Sequence, residues 1–445
     1  MQVVLLSGGS GKRLWPLSNS ARSKQFLKLL PALDGGAESM LQRVARQIRE
    51  SGMECSITVA TSVAQRDGVT NQLGPDVPVV TEPERRETFP AIALAAAYLA
   101  YEKHCPADET VVVMPCDPYT EAGYFETIKR MVKAVEESVA ELVLMGIKPT
   151  SPSTRYGYIL PRKDAERDGL YGVRRFEEKP DTENAGRLIE QGALWNSGVF
   201  AFRLGYMTAI ARRYVGATAF EEVRAHYAEF PKTSFDCEVV EKARSAVVVP
   251  FEGQWKDLGN WNALAGELHD RCVGNVIMAS CENTHVLNEL ELPIMCIGLD
   301  NLVIAASRDG IIVSDKMRSD YIEKYTDRLQ LRPMFEERRW GEYKVIDTIE
   351  FPDGFKTLTK HLMVRAGKNI SYQLHRHRSE VWTFIDGEGL LVLDGKVTKI
   401  RRGDTIDIKQ GVKHAVKALK DLRFIEVQSG DMLVEEDIER FDWTW

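Results

Sequence analysis

The pattern of apolar and polar positions changes character along the chain. From residue 1 to about 150, short runs rich in Val, Ile and Leu alternate with segments of helical period. The runs at 2–6, 57–61, 77–81, 110–114 and 141–147 predict strands. Between them Leu41, Val44, Ala45 and Ile48 recur at helical spacing, and the alanine-rich stretch 90–103 predicts a second helix. Alternating strand and helix units imply an α/β fold: a mixed, mainly parallel sheet with helices on both faces. Ligands of such sheets bind beyond the carboxyl ends of the strands. Residues 150–262 continue less regularly, with clusters of Gly and aromatic residues. From about 272 to 320 short strand-like runs take over, such as Leu302–Ala306 and Gly310–Val313, and a charged helix is expected over 319–330. From 355 onward, strand-length runs separated by Gly and Asp follow one another without helices, which predicts an antiparallel barrel or sandwich. The expected domains are 1–265 (α/β), 266–335 (a strand-rich connector) and 336–445 (all-β).

Composition narrows the class. A chain of 445 residues supports two or more domains, and 44% hydrophobic with 28% charged content is that of an ordinary globular protein. A net charge of −7 argues against nucleic acid as a partner. The chain begins directly with a strand rather than a signal-peptide pattern, and its apolar runs, such as Ala91–Ala100, are too short to span a bilayer. Seven cysteines without a C-x-x-C pair fit reduced thiols. The expectation is a cytoplasmic enzyme without a membrane partner; self-association into a homo-oligomer is compatible with the sequence.

The first strand carries the sharpest signal. Gln2–Leu6 runs into Ser7-Gly8-Gly9-Ser10-Gly11-Lys12-Arg13-Leu14-Trp15-Pro16. Three glycines in four positions let backbone N–H groups crowd around an anion, and Lys12, Arg13 and Lys24 add positive charge. That combination suits a nucleoside triphosphate. It is not a P-loop, because two residues rather than four separate Gly8 from Gly11-Lys12, and Arg13 stands where Ser or Thr would bind magnesium. It is not a dinucleotide fingerprint either, because Leu14 stands where a third glycine is needed. The plainer alternative is a tight turn with incidental basic residues.

The full string GGSGKRLWPLS…SKQF resembles the signature of sugar-1-phosphate nucleotidyltransferases, and its Trp-Pro-Leu-Ser variant is similar to the mannose-1-phosphate guanylyltransferase branch. The resemblance implies a Rossmann-like domain that transfers GMP from GTP to α-D-mannose 1-phosphate. It implies nucleotide contacts from Leu6, Gly8, Gly9, Gly11 and Lys12, and catalytic roles for Arg13 and Lys24. The family usually has Pro where Ser23 stands. Such transfer needs no protein nucleophile, because a phosphate oxygen of the sugar can attack the α-phosphate; it needs neutralised charge and alignment. Two carboxylates holding Mg²⁺ would serve. Asp117, after the strand 110–114, and Asp257, in Trp255-Lys256-Asp257-Leu258-Gly259-Asn260-Trp261, stand where the family keeps them, although a lone Asp after a strand is more often a turn or a cap.

Further strings carry the same resemblance. By it, Gly157, Glu178 and Asn196 hold the hexose and Lys179 its phosphate, whereas a Glu-Lys dipeptide is ordinarily a solvated charge pair. In Glu82–Ile92, Glu82, Arg86 and Thr88 match a segment near the nucleobase and phosphates, while Glu87 and Phe89 replace the usual Asn and Ala. The choice of guanine rests on the resemblance.

Three of the eight histidines have metal-site spacing: His375-Arg376-His377, then Glu380, then His414. On a strand, i and i+2 share a face, so His375 and His377 are expected to bind one ion together with Glu380 and His414. Three imidazoles and a carboxylate suit a divalent transition metal, with Zn²⁺, Mn²⁺, Co²⁺ and Fe²⁺ all open. The alternative is a polar pair on an exposed strand. The string Gln373-x-His375-x-His377-Arg378-x-Glu380-x-Trp382 resembles the cupin module of type II phosphomannose isomerases. That module would add interconversion of mannose 6-phosphate and fructose 6-phosphate, or act as a sugar-binding or oligomerisation unit. The terminus, Trp443-Thr444-Trp445, departs from the family's Tyr-Gly-Arg tail. Another base or sugar for the first domain is the remaining alternative.

Overall fold

The computed structural model describes residues 1–445 except Ser10, Gly11, His269, Asp327, Gln330, Leu331 and Glu435, together with all their side chains except those of Lys163, Ala165 and Asp320. It forms two compact units. The first comprises Met1–Leu14, Ser23–Arg271 and Lys316–Asp320; the second comprises Trp15–Arg22, Cys272–Asp315 and Tyr321–Trp445.

The first unit is built on a nine-stranded sheet of β1 (Gln2–Ser7), β2 (Ser56–Ser62), β3 (Val79–Glu82), β4 (Thr110–Pro115), β5 (Leu142–Ile147), β6 (Tyr158–Arg167), β7 (Leu170–Glu177), β8 (Leu194–Arg203) and β9 (Ala246–Phe251), in the order β3-β2-β1-β4-β8-β5-β9-β7-β6. β1, β2, β3 and β4 are parallel, as are β5 and β9. The sheet is mixed because β8 enters antiparallel between β4 and β5, and β6 and β7 form a hairpin closed by Asp168-Gly169, both at positive φ. Alternation along β1 sends Val3 and Leu5 into one core layer and Val4 into the other. The first layer receives α1 (Met40–Glu50), which buries Leu41, Val44 and Ile48 and starts in a capping box made by Ser39 and Gln42. The second receives α2 (Thr88–Ala97), all but its first residue buried, so that small side chains let it lie close to the sheet.

In the second unit, residues 272–315 carry short parallel rungs: Cys272–Val273, His285–Asn288 and Leu302–Ser307 in one sheet, Val276–Ala279 with Ile294–Ile297 in another. Among the described residues, the helix expected over 319–330 is a 3₁₀ segment, Lys316–Tyr321, whose first five residues belong to the first unit, followed by Ile322–Thr326. Residues 335–441 form six-stranded and five-stranded antiparallel sheets around a core that includes Trp382, Phe384 and Phe424. No helix among the described residues is long and apolar enough to cross a membrane.

Candidate functional site

The glycine loop leaves β1 at the carboxyl end of the parallel strands. Gly8 and Gly9 open it, Lys12 and Arg13 follow in an exposed 3₁₀ turn, and Gly11 lies outside the described residues. Leu6 is tied to the neighbouring strand end, its carbonyl accepting from the Cys116 N–H at 3.3 Å. Glu82, at the end of β3, stands beside the loop: a Cβ on Gly8 would lie 3.5 Å from its carboxylate. It accepts from the Tyr227 hydroxyl at 2.7 Å, and burial pushes its pKa up to about 6.

Asp117 and Asp257 are brought together by a two-stranded ladder in which Asp257 pairs with Pro118. Lys24 reaches both, its Nζ 2.6 Å from Asp117 Oδ2 and 3.3 Å from Asp257 Oδ1. Burial alone would lower the Lys24 pKa, but Asp117 and then Asp257 outweigh it and hold the ammonium above its ordinary value. Burial would likewise raise Asp257, and Lys24 first, then Arg13 and Arg155, hold it below. Gly259 gives the Asp257 carboxylate room to turn back, since a Cβ there would sit 2.9 Å from Oδ1. Two hard oxygen donors converging on one lysine ammonium are a donor set that fits Mg²⁺. Arg155 adds a cation that no motif had marked.

Gly157, Glu178 and Asn196 also meet. A Cβ on Gly157 would lie 2.6 Å from the Phe176 ring and 2.7 Å from Glu178 Oε2, so this backbone needs glycine. The Gly157 carbonyl accepts from the Asn196 N–H at 2.8 Å. Lys179, at φ 45°, folds back on Glu178 with Nζ 2.9 Å from Oε1. Asp236 joins this group unannounced by any motif: its Oδ1 accepts from Asn196 Nδ2 at 2.6 Å, and burial, then the charge of Glu178, pushes its pKa up to about 7. Arg86 donates to the Phe230 carbonyl at 3.1 Å and pairs with Glu84 at 2.8 Å, while the Thr88 hydroxyl accepts from the Phe235 N–H at 2.8 Å. Those two side chains bind the β3–α2 connection to residues 230–235.

In the second unit, His375, Glu380 and His414 are buried, with potential ligand atoms all within 4.8 Å of one another. His375 Nδ1 lies 2.6 Å from the Asp437 carbonyl and His414 Nδ1 lies 3.0 Å from that of Val412. Each Nδ1–H therefore donates outward, and each Nε2 lone pair faces Glu380. Among the described residues the buried His414 Nε2 has no hydrogen-bond partner, which a metal ion would supply. Burial lowers the His375 pKa and so favours the neutral, ligating ring. Glu380, itself buried, accepts from Arg378 Nε at 3.0 Å.

His377 does not join them. The strand ends at Leu374, and residues 375–377 turn over the Asp437 carboxylate, which accepts from the Arg376 and His377 N–H groups at 2.9 and 3.1 Å. Strand alternation therefore stops before it reaches His377, whose exposed ring lies 3.6 Å from Asp431. The side chain that joins instead is Gln373, with Nε2 3.5 Å from His375 Nε2. The spacing that pointed to His377 pointed equally to Gln373, two residues on the other side of His375.

A glycine-loop α/β unit with paired carboxylates, followed by an all-β unit with a histidine–carboxylate centre, defines a sugar-phosphate nucleotidyltransferase with a cupin partner. The chain belongs to the nucleotidyl transferase family, which residues 2–270 match, and residues 330–443 match the C-terminal family of mannose-6-phosphate isomerase. It is 32% identical to the xanthan biosynthesis protein XanB of Xanthomonas campestris pv. campestris (strain B100), over 99% of this chain and 98% of that one. It is 31% identical to the mannose-1-phosphate guanylyltransferase of Escherichia coli (strain K12), over 98% and 97%. A solved structure described as mannose-1-phosphate geranyltransferase from Thermus thermophilus superposes with a TM-score of 0.60 at 28% identity, covering 74% of this chain and 99% of that chain.

Proposed function

We propose that this chain transfers GMP from GTP to α-D-mannose 1-phosphate, giving GDP-mannose and diphosphate. The observation that carries this reading is Lys24 held between Asp117 and Asp257 beside a glycine loop. The sugar phosphate brings its own nucleophilic oxygen, so the protein's work is to grip, align and neutralise. The amides of Gly8, Gly9 and Gly11, with Leu6, Lys12 and Arg13, would hold the triphosphate, with Glu82, Arg86 and Thr88 on the nucleoside side. Lys24 would follow charge onto the phosphates being joined. Gly157, Glu178 and Asn196 would hold the hexose, and Lys179 its phosphate. Asp117 and Asp257 would hold Mg²⁺, which when bound would neutralise charge developing on the α-phosphate. Guanine and mannose are supported by the names of the relatives, and the free cysteines suit a cytoplasmic setting.

For the second site we propose mannose-6-phosphate isomerase activity, with Zn²⁺, Mn²⁺, Co²⁺ or Fe²⁺ held by His375, Glu380 and His414 and with the Gln373 amide beside them. The orphaned His414 Nε2 favours this over an inert barrel.

A coupled assay across four nucleoside triphosphates and several hexose 1-phosphates tests the first reading. GTP with mannose 1-phosphate should give the highest kcat/KM, and a higher value for any other pair replaces the substrate assignment. Failure of protein loaded with each of the four metals to isomerise mannose 6-phosphate would make the cupin a binding module.

A further inference from the structure

Lys24 reaches the carboxylate pair from a turn whose flanking side chains are fastened elsewhere. Ser23 is fully buried; its hydroxyl donates to the Gly9 carbonyl at 2.7 Å and accepts from Gln65 Nε2 at 2.6 Å. Gln65 Nε2 donates to the same Gly9 carbonyl at 2.9 Å. Ser23 stands at the N-cap of the 3₁₀ turn Lys24–Phe26, where a serine hydroxyl ordinarily accepts from the turn's own amides, yet it makes no such bond. Gln25, also buried, donates to the Ser7 carbonyl at 3.3 Å and to the Ser7 hydroxyl at 3.1 Å. Residues 23 and 25 are thus riveted to the end of β1 and its glycine loop. Lys24, between them, faces Asp117 and Asp257.

We propose that Ser23, seconded by Gln25, is a positioning residue for nucleotidyl transfer: it fixes the Lys24 ammonium relative to the loop that grips the nucleotide phosphates. The proposal rests on the transferase reading given above. Its physical basis is the steep dependence of transfer on placement, in which about 1 Å of misplacement costs on the order of 100-fold in rate. A buried hydroxyl diverted from its local cap to a loop carbonyl holds two segments in register, which a local cap does not do.

The test uses the full chain, with turnover measured at saturating GTP and mannose 1-phosphate. Ser23→Ala should lower kcat by about tenfold or more while the KM for GTP stays within about threefold, because placement rather than grip is lost. Ser23→Thr, which keeps the hydroxyl, should recover most of the rate. In a Lys24→Ala background, Ser23→Ala should cost nothing further, since the group it positions is gone. An unchanged kcat for Ser23→Ala overturns the proposal, and so does an equal fold-loss with and without Lys24. If Ser23→Ala loses the cooperative thermal unfolding of the wild type, Gln25→Met is judged by the same two criteria. A wild-type chain inactive on this substrate pair strikes the transferase reading and this proposal with it. An active wild type with an unaffected Ser23→Ala strikes this proposal alone.

Discussion

Asp117 and Asp257 both contact the Lys24 ammonium, and Gly259 leaves the Asp257 carboxylate room to do so. Asp117→Asn and Asp257→Asn should each lower transfer by about 100-fold or more with the fold intact, because half of the anionic donor set is lost. Wild-type turnover of both variants at saturating Mg²⁺ would refute the assignment. Asp236 gives a prediction in pH. Its pKa is raised from 3.8 to about 7, so between those values the folded chain binds a proton that the unfolded chain has released. Its contribution to stability is therefore full below about pH 4 and is lost as pH rises towards 7. Asp236→Asn should flatten the fall in Tm across that window; an unchanged slope would mean that the carboxyl is ionised throughout. Asp236 was not legible in the sequence because no local pattern marks it, and what gives it a role is the fold's placing of Glu178 and Asn196 around it.

At the scale of elements, glycines mark close approach as much as turns. Gly157→Ala must displace Phe176 and Glu178, so the KM for mannose 1-phosphate should rise more than that for GTP. Equal changes in both would detach Gly157 from the sugar. The segment Trp15–Arg22 lies in sequence between Arg13 and Lys24 yet packs within the second unit. There Asn19 bonds Asp309 at 2.7 Å, Arg22 pairs with Glu289 through two bonds at 2.7 and 2.9 Å, and the Pro16 carbonyl accepts from Ser307 at 2.7 Å. Glu289→Ala leaves Arg22 without that fork and should lower transfer turnover several-fold without touching the cupin's metal content. Unchanged turnover would show that the segment's anchorage is dispensable. Strands β1, β4 and β5 were legible because they bury both faces and read as nearly unbroken apolar runs. The antiparallel insertion of β8 was not, because the apolar pattern of a strand such as Leu194–Arg203 does not encode its direction and its neighbours are chosen by the sheet.

For the whole molecule, the transfer residues all fall in the first unit and the histidine–carboxylate centre in the second. His375→Ala with His414→Ala should strip the transition metal and any isomerase activity, yet leave GDP-mannose synthesis within a few-fold of wild type. Loss of synthesis in a variant of unchanged assembly would show that the two activities are coupled. The sequence by itself determined what is local: the glycine loop and its charge, the strand-helix alternation, the two aspartates at strand ends and the cluster of histidines with a glutamate. These follow from burial periodicity and from backbone freedom at glycine, which act over a few residues. Only the tertiary structure decided which groups meet. The pairing of Asp257 with Pro118 makes two aspartates one site. The Asp437 carboxylate turns His377 out to solvent, and the pairing of Gln373 with His414 puts the amide in its place. Such meetings depend on strand register between distant segments, and register is set by the packing of a whole sheet rather than by the residues that come to face one another.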